Sequence, residues 1–355
     1  MFRWYQDAQI CYVYLSDVTC TGTCTIPDLE DLRKSAWFTR AWTLQELLGS
    51  EIIVFYNQGW NDLGTKATLE NEIRAITQIT HLFNFPEASI AQKMSWASAR
   101  TTTRIEDEVY YLMGLFNVNM PILYGEGSNA FLRLQEEIIK KSDDESIFAW
   151  YSNSCNELRG MLAARPYEFA SCGDIVTVAT KDNSIFPYEM TNKGLRIQLQ
   201  LTRFIPRGGN RSQPDTKPRK TMDFCTSILR CRRGFEEQLF EIYVIKHLTS
   251  PDTYCRKDVS YKYPLFITPV LDEPLEPLKR TIYVQAPKMT YTAKSCNFWI
   301  NTKAIIDRGY QVAQVHDSTF LDYRQEGTKP APFVINTTSF LGKESWVLFH
   351  GNSSP

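Results

Sequence analysis

Two short apolar runs with a helical segment between them constrain the first half of the chain more than any other feature. The runs are residues 10–15 (ICYVYL) and residues 52–56 (IIVFY). An unbroken apolar run of this length is typical of a strand that is buried on both faces of a parallel sheet. We therefore predict a short parallel sheet in which both runs are central strands and the intervening segment contains a helix.

The segment between the two runs contains an unusual combination of residues, since residues 37–48 read WFTRAWTLQELL. Trp37 and Trp42 lie five positions apart with Arg40 between them, and Glu46 follows Trp42 by about one helical turn. Packing alone does not require this combination, and a carboxylate between two central strands is rarely there only to be solvated. Glu46 is therefore a candidate functional carboxylate, with Trp42 and Arg40 as its candidate partners.

The same residues also have a structural interpretation. Thr43 and Glu46 have the spacing of a capping box, in which the glutamate satisfies amide donors at the start of a helix. Trp37 and Trp42 would then be core residues, and Arg40 would form an ion pair with Glu46. The sequence leaves both interpretations open.

Helical patterns continue to about residue 145, and two further capping boxes mark helix starts. Ser89 and Gln92 form one pair, and Thr103 and Glu106 form the other. The second pair opens a predicted helix over residues 105–116.

The last helix of this half is predicted over residues 131–141, an amphipathic stretch that ends in two lysines. The preceding residues 124–127 read YGEG. They indicate a tight loop rather than a phosphate cradle, because the glycines lack the spacing of the common nucleotide-binding motifs.

After Trp150 the pattern changes to short alternating or β-branched runs that Pro and Gly separate. This pattern of short runs is typical of an antiparallel β-sandwich. We place the boundary in residues 152–156. Residues 1–150 are predicted to form an α/β domain, and residues 155–355 a β-rich, antiparallel, sandwich-like domain.

The composition argues against several classes of protein. Charged residues make up 22% and apolar residues 43% of the chain, and no apolar run approaches the roughly 20 residues that span a bilayer. The nine cysteines are scattered and odd in number, which argues against a secreted disulfide framework. Cys20 and Cys24 are spaced like half a zinc site, but no histidine lies near them. We expect a cytoplasmic protein with no metal site and no membrane contact.

The charge is distributed unevenly. Residues 1–150 hold 12 Lys and Arg against 20 Asp and Glu, so the remainder holds 27 against 20. The halves are complementary in charge and are expected to dock. The positive charge is concentrated in residues 203–233, which raises nucleic-acid binding as an alternative. The Pro, Gly and Asn content of that stretch favours a solvated loop, so no nucleic acid is expected as a partner.

Taken together, these motifs resemble the heterokaryon-incompatibility (HET) domain family of filamentous fungi. The similar segments lie in the family's order within residues 1–150, at residues 1–8, 11–18, 37–48, 93–97, 102–107, 124–127 and 134–137. Residues 148–150, 172–173 and 187–195 resemble the β-rich domain that often follows it.

The resemblance implies a role in self/non-self recognition (vegetative incompatibility) and programmed cell death, with protein partners or self-association. It also implies an α/β fold with an incomplete TIR-like or flavodoxin-like parallel sheet and extra helices. Some TIR domains cleave NAD with a glutamate that follows a tryptophan by four residues, the spacing of Trp42 and Glu46. By this analogy Glu46 would stabilise an oxocarbenium-like ribose, NAD would be the substrate, and no cofactor would be required.

Family members usually carry an upstream segment with a first strand, whereas this sequence begins in a predicted helix. We therefore expect the first strand of the sheet, and part of any nucleotide site, to be missing. Two hypotheses follow: an effector that acts enzymatically on NAD, or a non-catalytic signalling module, of which an inactive shortened paralogue is one form.

Overall fold

A computed structural model of the chain describes thirteen stretches of the sequence. They are residues 2–19, 29–152, 158–179, 186–204, 224–234, 236–246, 250, 252–257, 278–286, 296–300, 310–316, 333–337 and 346–351. The chain divides into two compact units, Met1–Pro287 and Lys288–Pro355. Cys20, Cys24 and most of the predicted basic loop lie outside the described residues.

The first part of unit one is built from short helices around a small sheet. The helices are α1 (Phe2–Asp7), α2 (Leu29–Lys34), α3 (Thr43–Gly49), α4 (Glu70–Thr77), α5 (Ile90–Ala97), α6 (Asp107–Tyr110), α7 (Leu112–Leu115) and α8 (Asn129–Ile139). Single 3-10 turns occur at Ala36–Phe38, Phe85–Glu87, Glu145–Phe148 and Pro166–Phe169. The strands are β1 (Cys11–Tyr14), β2 (Ile53–Tyr56) and β3 (Asp62–Thr65).

The small sheet has the order β1-β2-β3 and mixed direction. β1 and β2 are parallel, with Cys11 opposite Ile53, and β3 is antiparallel to β2. α3 lies in the connection between the two parallel strands. The two predicted apolar runs are therefore neighbours in one sheet, but the sheet is not purely parallel.

The prediction that both runs are buried on both faces is wrong. Val13, Ile53 and Phe55 point into the core and are buried, whereas Tyr12 is 64% and Tyr14 41% exposed. Successive side chains of a strand point to opposite faces. Among the described residues, helices cover only one face of this sheet, so each apolar run contributes one buried and one exposed row.

The two predicted capping boxes have different outcomes. At α5 the box is confirmed, since the Ser89 side chain accepts from the backbone N–H of Gln92 and the Gln92 side chain accepts from that of Ser89. At residues 103–106 the prediction is wrong. Glu106 is itself the residue before α6 and makes no capping bond there, because its carboxylate is bound by amides of a distant loop.

The β-rich part of unit one consists of eight strands. They are β4 (Leu158–Arg159), β5 (Ile175–Thr177), β6 (Glu189–Thr191), β7 (Gly194–Phe204), β8 (Phe224–Arg233), β9 (Leu239–Lys246), β10 (Thr253–Lys257) and β11 (Leu278–Val284). Five of them, β7 to β11, pair in a closed ring, because β7 pairs with both β11 and β8.

This ring differs from the predicted antiparallel sandwich in two respects. It is closed rather than split into two sheets, and β10 and β11 are parallel to each other. The length of β7 explains the closure. Its residues 195–201 pair with β11, while residues 201–204 pair with β8 along the other edge. An alternating pattern in the sequence specifies an inner and an outer face but does not specify these partners.

The helical part and the strand ring are joined through Trp150, which is fully buried. The guanidinium of Arg256 lies 3.7 Å from the centre of the Trp150 ring. It also donates to the backbone oxygens of Phe148 and Trp150, both at 2.6 Å. The Arg159 guanidinium lies 5.0 Å from the same ring. Arg256 of β10 therefore supplies hydrogen-bond donors to two backbone oxygens at the end of the helical part.

Other contacts cross the predicted boundary. Glu145 accepts from the backbone N–H of Arg230 at 2.6 Å and from its Nε at 3.0 Å. The Ser89 hydroxyl donates to the oxygen of Ile175 at 2.7 Å. Because of this interlocking, residues 1–287 form one compact unit, and the division between the two units does not fall in residues 152–156, where the sequence placed the domain boundary.

The second unit contains two described strand pairs. β12 (Cys296–Ile300) pairs with β14 (Phe333–Thr337), and β13 (Tyr310–His316) pairs with β15 (Trp346–Gly351). Both pairs are antiparallel.

The Arg256 contacts predict a strongly destabilising substitution. Arg256→Met leaves two buried backbone oxygens without this donor and is expected to lower the free energy of unfolding by roughly 2–4 kcal/mol. Arg280→Met, at an exposed position of β11, is the matched control and should stay within about 0.5 kcal/mol of the parent. Urea unfolding followed by tryptophan fluorescence measures both. Equal effects of the two substitutions would contradict the assigned role of Arg256.

Candidate functional site

The turn that leads into α3 is fixed by residues far along the chain. Arg100 is buried, and its Nη1 donates to the backbone oxygen of Arg40 at 2.8 Å and to the hydroxyl of Thr43 at 2.9 Å. The N–H of Ala41 donates to the oxygen of Thr101 at 3.1 Å. These bonds fix where α3 begins, and so they also fix the positions of the candidate site residues on it.

Glu46 is not part of a capping box, so the structural interpretation of the Thr43–Glu46 spacing is wrong. The residue before the helix is Trp42, which makes no side-chain capping bond. The Thr43 hydroxyl instead lies 2.5 Å from the backbone oxygen of Trp37 and 2.8 Å from that of Arg40. The Thr43 hydroxyl therefore contacts the preceding turn, because the hydrogen bonds from Arg100 hold that turn against the start of α3.

The carboxylate of Glu46 is half-buried and lies beside α1. Tyr5 donates to its Oε1 at 3.4 Å. Burial raises the pKa of Glu46, and this effect outweighs the polar groups of Tyr5 and Trp37 and the charges of Arg40 and Arg100, all of which act to lower it. Burial also lowers the pKa of Arg100 to about 10, while the charge of Glu46 acts to raise it.

Arg40 does not perform the role that the sequence suggested. Its side chain is exposed, and among the described ion pairs there is none between Arg40 and Glu46. Arg40 acts on the pKa of Glu46 only through its charge. The other cation whose charge acts on Glu46 is the buried Arg100, which the sequence did not single out.

Trp42 and Glu46 face different surroundings. Trp42 packs edge-on against Tyr111 with ring centres 6.2 Å apart. Together with Gln45 it lines a cleft of about 1050 Å³, which Glu46 does not line. Adjacent positions on a helix lie about 100° apart around its axis, so Gln45 and Glu46 point to either side of Trp42. Arg40 does not line this cleft either, so Trp42 is the one predicted site residue that does.

Two residues that define the surroundings of Glu46, Tyr5 and Arg100, are not indicated by any pattern in the sequence. They lie 41 and 54 positions from Glu46 in the chain, and no local spacing connects them to it. Cys11 also lies close to this cluster, since burial raises its pKa and the charge of Glu46 adds to that effect. Glu46 is thus placed near the first residue of β1.

The YGEG loop is held by the carboxylate of Glu106. Its Oε1 accepts from the N–H of Gly125 at 2.8 Å and from that of Gly127 at 3.2 Å. Hydrogen bonds from its own backbone N–H and from these two glycines hold the pKa of Glu106 below its usual range. Both glycines have positive φ, at 98° and 57°. The loop amides are satisfied within the protein, which agrees with a tight loop rather than a phosphate cradle.

Within the described stretches, no cluster of three or more His, Cys, Asp or Glu side chains is arranged to hold a metal ion. No described helix combines the length and the apolar character needed to cross a bilayer.

Comparison with known proteins gives two similarities. A family model described as a domain of unknown function, DUF8212, matches residues 129–159, which include α8 and the buried Trp150. The vegetative incompatibility protein HET-E-1 of Podospora anserina is 39% identical over 150 residues, or 40% of this chain. The chain spans only 11% of the length of that relative. No solved structure matches. The similarity to HET-E-1 relates the chain to the HET proteins.

The raised pKa of Glu46 predicts how a neutral replacement behaves. A carboxyl whose pKa is higher in the folded than in the unfolded protein, where it is about 4.3, destabilises the fold at neutral pH. That penalty disappears as the pH falls through the folded pKa towards the unfolded one. We therefore expect Glu46→Gln to be at least as stable as the parent at pH 7, with the difference shrinking towards pH 4. Urea unfolding at pH 7, 6, 5 and 4 tests this, and a less stable variant at pH 7 would contradict it.

Proposed function

We propose that this chain acts in self/non-self recognition of the vegetative-incompatibility type, as a signalling or effector module of fungal cells. The observation that carries the proposal is the 39% identity to HET-E-1 over 150 residues. The order of the HET-like motifs along residues 1–150 supports it. The relative's printed name describes a protein of vegetative incompatibility, and the proposal extends that role to this chain.

The geometry favours a module that works through contacts with other proteins. The cleft that Trp42 lines is lined by neither Glu46 nor Arg40, and burial favours the neutral form of Glu46. A recognition module needs an exposed apolar surface instead.

The uncovered face of the small sheet offers such a surface. Tyr14 and Trp60 stack with ring centres 4.6 Å apart, and Tyr56 lies 5.9 Å from Trp60. Trp60 is 66% exposed and holds a positive φ of 59°. Exposed Tyr and Trp side chains at this density are typical of protein contact sites, and a left-handed backbone at a bulky residue persists only where its surroundings enforce it.

The proposed function predicts a cellular phenotype. Inducible expression of the full natural protein in a filamentous fungus is expected to arrest growth and reduce cell viability. A double substitution on the aromatic face, Tyr12→Ser with Trp60→Ser, should abolish this effect, because both positions are exposed and contribute to the proposed contact.

Tyr167→Ser is the control, since Tyr167 is also exposed but lies on the Pro166–Phe169 turn. With protein levels matched by immunoblot, viability is counted by vital staining. If the parent protein leaves viability unchanged, the incompatibility role fails. If both variants behave like the parent, the aromatic face is not the contact surface.

A second candidate function is cleavage of NAD with Glu46 as the catalytic carboxylate. One specific observation favours it: Glu46 has no capping role, yet it is half-buried beside Tyr5 and near Arg100. In this candidate the ionised carboxylate would stabilise the cationic ribose as the bond to nicotinamide breaks.

The NAD hypothesis predicts a clear difference between two glutamate substitutions. If the purified protein releases nicotinamide from NAD, Glu46→Gln should lower the rate by roughly two to three orders of magnitude, while the melting temperature does not fall. Glu137→Gln is the control, because Glu137 forms an ion pair with Lys140 on α8. Chromatographic measurement of nicotinamide reports the rate. Equal rates in both variants would rule out a catalytic role for Glu46, and toxicity that survives Glu46→Gln would favour the contact-based module.

A further inference from the structure

The cleft lined by Trp42 and Gln45 has a composition that the proposed function does not explain. It has a volume of about 1050 Å³ and is bounded by residues of α1, α3, α5, α7 and α8. This volume is at the upper end of the range of small-molecule sites, about 300–1000 Å³. We call it the α1–α8 cleft.

Aromatic side chains form much of the wall of the α1–α8 cleft. Trp42 is half-buried and held by Tyr111, and Trp4 is 74% exposed. Phe2 and Phe85 meet edge to face, with ring centres 5.6 Å apart. These rings offer flat apolar surfaces against which a planar ligand can stack.

The charged residues of the α1–α8 cleft are all basic. Arg3, Lys93 and Lys141 line it, and no Asp or Glu is among the described residues that line it. This contrasts with residues 1–150 as a whole, which carry 12 basic against 20 acidic side chains. A cleft with only cations, in a segment with excess negative charge, is electrostatically complementary to an anion.

The two lysines keep donors for a ligand. Lys93 Nζ donates to the backbone oxygen of Pro86 at 3.1 Å, and Lys141 Nζ donates to that of Asn117 at 2.8 Å. An ammonium group has three hydrogens, so each of these bonds leaves further donors. Burial lowers the pKa of Lys93, which the charge of Asp144 only partly offsets. An anion in the cleft would stabilise the charged lysine.

Gln45 adds a polar group to the same wall. Its side chain is almost fully buried, and its Nε2 donates to the backbone oxygen of Tyr111. Its Oε1 is buried and has no donor among the described residues. An unsatisfied buried acceptor costs free energy, and an N–H or O–H group of a ligand that reaches it would remove that cost.

We propose that the α1–α8 cleft binds a small organic anion with a planar aromatic body. The aromatic walls would stack on the body, Lys93 and Lys141 would bind the anionic group, and Gln45 would accept a hydrogen bond. This inference does not depend on the proposed function, since it involves neither Glu46 nor the aromatic face of the sheet.

Two fluorescent probes of similar shape test the proposal with the full chain. 1-Anilinonaphthalene-8-sulfonate is an aromatic anion with an N–H group, and N-phenyl-1-naphthylamine is the same body without the sulfonate. Energy transfer from tryptophan to each probe gives its Kd, and the ratio of the two Kd values isolates the contribution of the charge from that of apolar contact.

Lys141→Gln should weaken binding of the anionic probe by about threefold to tenfold, as expected for loss of one charge contact at a partly screened site. Binding of the neutral probe should not change. Lys140→Gln is the matched control, since Lys140 is the neighbouring lysine and does not line the cleft. Trp4→Ala should weaken both probes, because it removes apolar surface. Lys140 and Lys141 are both exposed, so their replacement should not disturb the fold. Circular dichroism checks that all variants are folded. If the ratio of the two Kd values is the same in Lys141→Gln and Lys140→Gln, the cleft does not select anions and the proposal is overturned.

Discussion

The buried guanidinium of Arg256 is the interaction on which the architecture of the first unit depends. A guanidinium remains charged in proteins, and a charge moved out of water must be compensated by hydrogen bonds or opposite charge. Here the backbone oxygens of Phe148 and Trp150 and the face of the Trp150 ring provide that compensation. Arg256 therefore holds β10 against the end of the helical part. Separating the two would leave the guanidinium and the two backbone oxygens without these hydrogen bonds.

The residues around this attachment also hold two helices that line the α1–α8 cleft, α8 and α5. α8 is held against the following segment because Gln135 exchanges two hydrogen bonds with the backbone of Ala163, at 2.8 and 3.0 Å. α5 is held at its start, where Asp144 accepts from the N–H of Ile90 at 2.8 Å. Both helices border the α1–α8 cleft. Two walls of the cleft are therefore held by residues on either side of the Phe148–Trp150 segment that Arg256 binds. No described residue of the strand ring lines the cleft.

The small sheet is stabilised differently, and its two faces show the contrast. On the buried face, Phe55 packs edge-on against Trp37 with ring centres 5.6 Å apart. On the open face, Tyr14, Tyr56 and Trp60 contact mainly one another. Aromatic rings gain some stability from such pairs, but they still expose apolar surface to water. The sheet is stable because of its inner face, and its outer face is available for contacts.

Within residues 1–150, short sequence patterns correctly predict several local features. The apolar runs located β1 and β2, the Ser89–Gln92 spacing located the start of α5, and the lysine-ended pattern located α8 to within two residues. Each of these depends on residues that are close together in the chain, where hydrogen-bond spacing and side-chain periodicity act directly.

The partners of these elements, in contrast, depend on contacts across the whole fold. Trp42 packs against Tyr111, whereas Glu46 lies beside Tyr5 of α1. The expected Arg40–Glu46 ion pair does not form, and buried Arg100 acts on the carboxylate through its charge. The length of β7 closes the strands into a ring. These outcomes depend on contacts between residues about 25 to more than 100 positions apart. Such contacts are set by how buried charges and unpaired backbone groups are satisfied across the whole fold, which no local pattern in the chain encodes.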